Sequence, residues 1–177
     1  MKDAMMTLFG NFSTQIVFLH IFSAVVWVGG MIAMRLAAHN SFLEIESPLH
    51  RLERISHALK RLFVIVTPFV FTLIITAVIM SVSLGFRAAA VDENGTILSE
   101  YAMQIYNLVH VKEVIWMLMT VNLGAMAYRR SQADKMLQKG DSLGAAKALS
   151  LIGEYMVPLN IMLGIIAIYL GVTLRNA

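Results

Sequence analysis

Apolar positions in this chain gather into four long runs separated by short polar stretches: about Ser13 to Ala38, Arg61 to Phe86, Ile105 to Tyr128 and Gly153 to Leu174. Within each run hydrophobic residues occupy every face of a helix instead of one stripe, so a helix built from it has no polar side to turn to water. At about 1.5 Å of rise per residue, each run is long enough to cross a hydrocarbon layer roughly 30 Å thick. The pattern predicts an all-α fold, a polytopic membrane four-helix bundle, with residues 1–177 forming one transmembrane domain. The first run is too long for a signal-peptide core and no small-residue cleavage site follows it, so it is expected to stay as the first span.

The polar stretches add detail. Ser47 and Pro48 read as an N-cap and first helical residue, opening an amphipathic helix over about 48–60 whose apolar positions are Leu49, Leu52, Ile55 and Leu59. It either lies at the membrane surface or extends the second span inward. Asp92-Glu93-Asn94-Gly95 predicts a turn. Gly140-Asp141-Ser142 breaks and restarts a helix, with Ser142 as the expected cap. Pro68 and Pro158 fall inside spans two and four and are expected to kink them where neighbouring groups satisfy the freed carbonyls.

Composition agrees with a membrane solvent: 58% of residues are hydrophobic and only 14% charged, more apolar surface than a soluble domain of 177 residues can bury. The net charge of +3 is no nucleic-acid footprint, because the cations sit in the loops beside the apolar runs. Arg51, Arg54, Lys60 and Arg61 lie between spans one and two, and Arg129, Arg130, Lys135, Lys139 and Lys147 between spans three and four. The loop between spans two and three holds Arg87 against Asp92, Glu93 and Glu100. By the positive-inside rule both termini and that middle loop face outward, the periplasmic side if the membrane is a bacterial inner membrane. With no cysteine in the chain, disulfides, thiolate metal sites, iron–sulfur clusters and covalent haem attachment are excluded.

Candidate chemistry starts with His20, an ionisable group inside the first apolar run, where such residues normally face the bundle interior. Ala24, Trp27, Met31 and Met34 share its helix face, and Gly29-Gly30 thins the backbone beside them. His110 lies at a similar depth in the third run, with Glu113, Val114, Met117, Val121 and Gly124 on its face. Two imidazoles at matched depth on two helices predict axial ligation of a haem b between them, although each histidine alone is equally served by a hydrogen bond to a neighbouring carbonyl. Lys112 and Glu113 follow directly, Lys112 projecting from roughly the opposite face to His110. They read either as a snorkelling pair or as catalytic groups, Lys112 pairing with a propionate or substrate carboxylate and Glu113 orienting His110 or relaying a proton. Arg35, near the inner end of span one, either snorkels or binds an anionic group. Asn160, Glu154 and Tyr155 read as interhelical contacts. His50, Glu53 and His57 read as a solvated face of the loop helix, and the thirteen Met residues as core scattered through apolar runs, a copper path being the minority reading.

The segments Leu19-His20 through Trp27-Val28-Gly29-Gly30, then Arg35 and His39, resemble the opening helix of the HemJ and CopD superfamily. Leu108-Val109-His110-Val111-Lys112 is similar to the His-x-Lys segment of HemJ-type protoporphyrinogen oxidases, and Thr67-Pro68-Phe69 and Glu154-Tyr155-Met156-Val157-Pro158 match in order and spacing. The third span ends Ala127-Tyr128-Arg129, without the second histidine of the HemJ pattern. The resemblance implies a b-type haem protein with His20 as axial ligand and, in the HemJ branch, oxidation of protoporphyrinogen IX with Lys112 as an important residue; the CopD branch implies copper handling. The expected site comprises metal ligands His20 and His110, cofactor contacts Trp27, Met31, Met117 and Arg35, and catalytic Lys112 and Glu113. Expected partners are the lipid bilayer, a quinone, a porphyrinogen or a respiratory-chain membrane protein, and a second copy of the chain. The alternatives are a copper transport or resistance protein and a cofactor-free accessory subunit.

Overall fold

The computed structural model describes residues 1–175. Four helices are long and apolar enough to cross a membrane: α1 (Lys2–Leu43), α2 (Pro48–Ser83), α4 (Glu100–Gln138) and α5 (Ser142–Arg175). A fifth, α3 (Phe86–Ala90), is one short turn-and-a-half in the loop after α2. No strand forms among the described residues beyond an isolated bridge from Val91 to Ile97, which closes the predicted turn around Gly95 in its left-handed conformation (φ 85°). The chain is an all-α multi-pass membrane protein.

Ends of the helices follow local chemistry. Ser47 accepts the His50 N–H with Pro48 at the first position, and the helix they open continues without a break into the second span. Its core face, Ser56, Leu59, Phe63, Val66 and Val70, keeps the three-and-four spacing throughout, which resolves the amphipathic segment as an inward extension of α2. The start of α5 corrects the expected cap: Asp141, not Ser142, accepts the Gly144 N–H at 2.8 Å. A carboxylate there reaches the exposed amides better than the hydroxyl one residue later. At the other end of the chain, α1 begins at Lys2, well before the expected start of the apolar run, and passes a non-helical step at Phe12 (φ −131°, ψ 29°). That amino-terminal arm is pinned by Ser83, whose hydroxyl donates to the Met5 carbonyl at 3.2 Å.

Both prolines lie inside helices whose neighbouring carbonyls find other donors. Near Pro68, Thr67 donates to the Phe63 carbonyl at 2.6 Å and the Trp116 indole to the Val70 carbonyl at 3.3 Å. Before Pro158, α5 widens into a π turn over Ile152–Met156, and the Asn122 amide donates to the Met156 carbonyl at 2.8 Å. A second π turn, Met34–Ala38, carries Arg35 near the end of α1. The apolar core, built on Trp27, Val28, Met31, Phe63, Val66, Met119, Leu123, Met126, Ile152 and Val157, lies mostly below His20, toward the side on which α1 ends and α2 begins. Close approach sets the helix register there. A Cβ at Gly164 would lie 2.5 Å from Val28 Cγ2, and one at Gly30 would lie 3.1 Å from Leu62 Cδ1.

Candidate functional site

His20 does face the interior. Its Nδ1 lies 2.9 Å from the Thr76 hydroxyl of α2. The single Thr76 proton is directed at backbone carbonyls of its own helix, Thr72 at 2.7 Å and Leu73 at 3.0 Å. The hydroxyl oxygen therefore accepts from His20, which assigns the ring proton to Nδ1. Nε2 is left as a lone pair, the form in which imidazole binds a metal or accepts a proton.

Lys112 reaches the same region from α4. Its ammonium packs against α5 where Gly171 leaves room, 3.1 Å from where a Cβ would stand, and it is near enough to His20 to act on it electrostatically. The ion pairs among the described residues are His110–Glu113 and Arg130–Asp134, so no carboxylate neutralises Lys112. One and two turns below His20 on the same face lie Ser23 and Trp27, 0% and 1% exposed, and neither the Ser23 hydroxyl nor the Trp27 indole N–H has a hydrogen-bond partner. An ammonium thus acts on the imidazole from α4, and an unpartnered hydroxyl and indole N–H follow on the His20 face of α1, roughly 5 and 10 Å further along its axis. The set is rich in donors and poor in acceptors.

Several expected members of the site lie elsewhere. His110 is turned outward: its side chain is 51% exposed, bound through Nδ1 to Glu113 Oε2 at 2.9 Å, and stacked edge-on against Tyr106 with ring centroids 4.4 Å apart. Glu113 does orient His110, as expected, but on the lipid-facing side of α4 and away from His20. The physical reason is angular: residues two apart on a helix point about 200° apart, so only one of His110 and Lys112 can face inward. Met117 follows His110 outward at 58% exposure and lines no interior site. Arg35 lies fifteen residues beyond His20 on α1, about 22 Å along the axis, and is too distant to share its ligand. Trp27 and Met31, expected as cofactor contacts, are buried and packed into the apolar core.

Thr76 and Ser23 were not singled out by the sequence. A threonine in an apolar run usually bonds its own preceding carbonyl, which hides any further partner. Also missed was a tie between α2 and α4 in which Ser56 donates to Asp134 and Arg130 binds both, its Nε 3.2 Å from the Ser56 hydroxyl. Arg130 read as a loop charge is in fact a packed partner of Asp134, and the i,i+4 spacing of the two was the available signal.

The geometry defines a multi-pass helical membrane protein with a polar, cationic interior beside an imidazole. No protein family, curated protein or solved structure matches the chain.

Proposed function

We propose that this chain is a b-type haem-binding membrane redox protein in which His20 Nε2 would hold the haem iron and Lys112 would be the counter-charge for a carboxylate of the cofactor or substrate. The observation that carries the reading is the unneutralised Lys112 ammonium beside the ligation-ready His20 imidazole. An ionisable pair at this depth is expensive in lipid without a functional partner. Haem, when bound, supplies one-electron oxidation and reduction. The chain supplies the rest. Thr76 fixes the His20 tautomer and ring plane, Lys112 offsets carboxylate charge, Ser23 and Trp27 offer hydrogen bonds, and Val28 and Met31 below them keep the site dry.

His110 has no ligand role in this reading, which departs from the paired-imidazole expectation. The proximity of Lys112 to His20 favours the HemJ-like version, with a porphyrinogen or other hydrophobic carboxylate as electron donor and a quinone or respiratory-chain subunit as acceptor. The copper alternative would need His110 on a path with His20, Met31 and Met34, and His110 is turned outward instead. The cationic loops support an orientation with both termini outside, the periplasmic side in the proposed bacterial inner membrane.

The test is the absorption spectrum of detergent-purified protein made with ample haem supply. A strong Soret band with α and β bands on reduction is expected, weakened in Lys112→Ala. A colourless preparation overturns the haem reading, and one that retains copper moves it to the CopD-like alternative.

A further inference from the structure

The outward face of α4 differs from the other faces that meet lipid. On α1 the exposed positions include Phe18, Ile21, Phe22 and Val25, and on α5 Leu159, Met162, Ile165 and Ile166, an apolar covering between the two phenols Tyr155 and Tyr169. On α4 they include Val111 and Leu118 to one side of a stripe of Asn107, His110, Val114, Met117, Val121 and Gly124, a three-then-four spacing whose outer end is polar. Beside this stripe stands Glu113, its side chain 45% exposed and bound to His110. His110 and Glu113 lie roughly 8 to 12 Å inside the start of the apolar run at about 1.5 Å per residue, too deep for water to reach them freely.

We propose that this stripe is the contact surface for a second copy of the chain, packed in parallel about a two-fold axis along the membrane normal. The charge pattern is self-complementary: each copy presents one base and one acid a single turn apart, so a two-fold axis lets each His110 meet the partner's Glu113 while keeping its own. Spacing of 3.5 residues keeps the stripe facing its copy along the whole contact, as in a left-handed helix pair. Gly124 has no atom within 4 Å of the place a Cβ would take, so the backbones can close together below the polar end. The pairing covers the one acid and base that α4 turns to lipid and requires nothing of the His20 site.

The chain contains no cysteine, so single cysteines report on this contact without interference. In liposomes containing the full chain, oxidation should link Val114→Cys and Val121→Cys into disulfide dimers. Val111→Cys, Leu118→Cys and Ile165→Cys, as exposed but off the stripe, should link about fivefold less, because a disulfide needs Cα atoms within roughly 7 Å. The double variant His110→Leu, Glu113→Leu should lower dimer content in dilute detergent by about tenfold while Soret absorbance per chain is unchanged. Equal linking at all five positions, or a monomer that links at none, overturns the proposal and leaves lipid or another protein as the occupant of this face.

Discussion

The two polar interiors of this bundle are built differently. The deeper one, toward the end where α2 begins, holds Asn122, Asn160, Ser56, Arg130 and Asp134, and its side-chain groups are paired across helices. Asn122 donates to Asn160 Oδ1 at 2.8 Å, Asn160 donates to the Met119 carbonyl at 3.3 Å, and Arg130 meets both Ser56 and Asp134. The outer one holds His20, Thr76, Lys112, Ser23 and Trp27, and only the His20–Thr76 contact is made. Ser23, Trp27 and Lys112 are left with donors to spare. A polar group in a membrane interior that is satisfied by its own chain holds helices together, whereas one that is unsatisfied is kept for something else. The inner set is structural, and the outer set is the one the proposed function draws on.

That contrast predicts opposite responses to mutation. The largest effect belongs to Asp134→Ala, which strands Arg130 and should cost about 2 to 3 kcal/mol of stability, below the full value for a buried pair because Asp134 is 30% exposed. Thermal unfolding in detergent measures it. Asn160→Ala removes two interhelical hydrogen bonds at a residue 1% exposed and should cost about 1 to 2 kcal/mol in the same assay, with cofactor content per folded chain unchanged. Thr76→Val should reverse that pattern, leaving stability within about 1 kcal/mol while weakening haem retention about tenfold, since it frees the His20 tautomer. The smallest stability change is Lys112→Met, expected to be neutral or stabilising by about 1 kcal/mol in the apoprotein, because it removes a charge with no partner. Significant destabilisation by Lys112→Met would erase the distinction between the two interiors.

How much of this was legible beforehand varies with the kind of information involved. Span number, the Ser47-Pro48 start, both prolines, the interior placement of His20 and the bridging role of Asn160 follow from hydropathy and local chemistry, which the sequence carries directly. Depth along a helix also follows from residue count. Rotation about the helix axis does not: His110 and Lys112 stand at nearly one depth, and composition favours turning the lysine outward, yet packing against Gly171 brings it in. Thr76 was hidden because its partner lies fifty-six positions away on another helix. The amino-terminal arm was hidden because Lys2, Asp3, Gly10 and Asn11 interrupt its hydrophobicity.

The most direct test compares the two histidines by haem content per chain, measured as the pyridine haemochrome in folded, purified protein. His110→Ala is expected to retain the native content and His20→Ala to lose nearly all of it. Equal loss from both variants would restore the paired-imidazole site, and full retention by His20→Ala would contradict the outer interior as a haem site altogether.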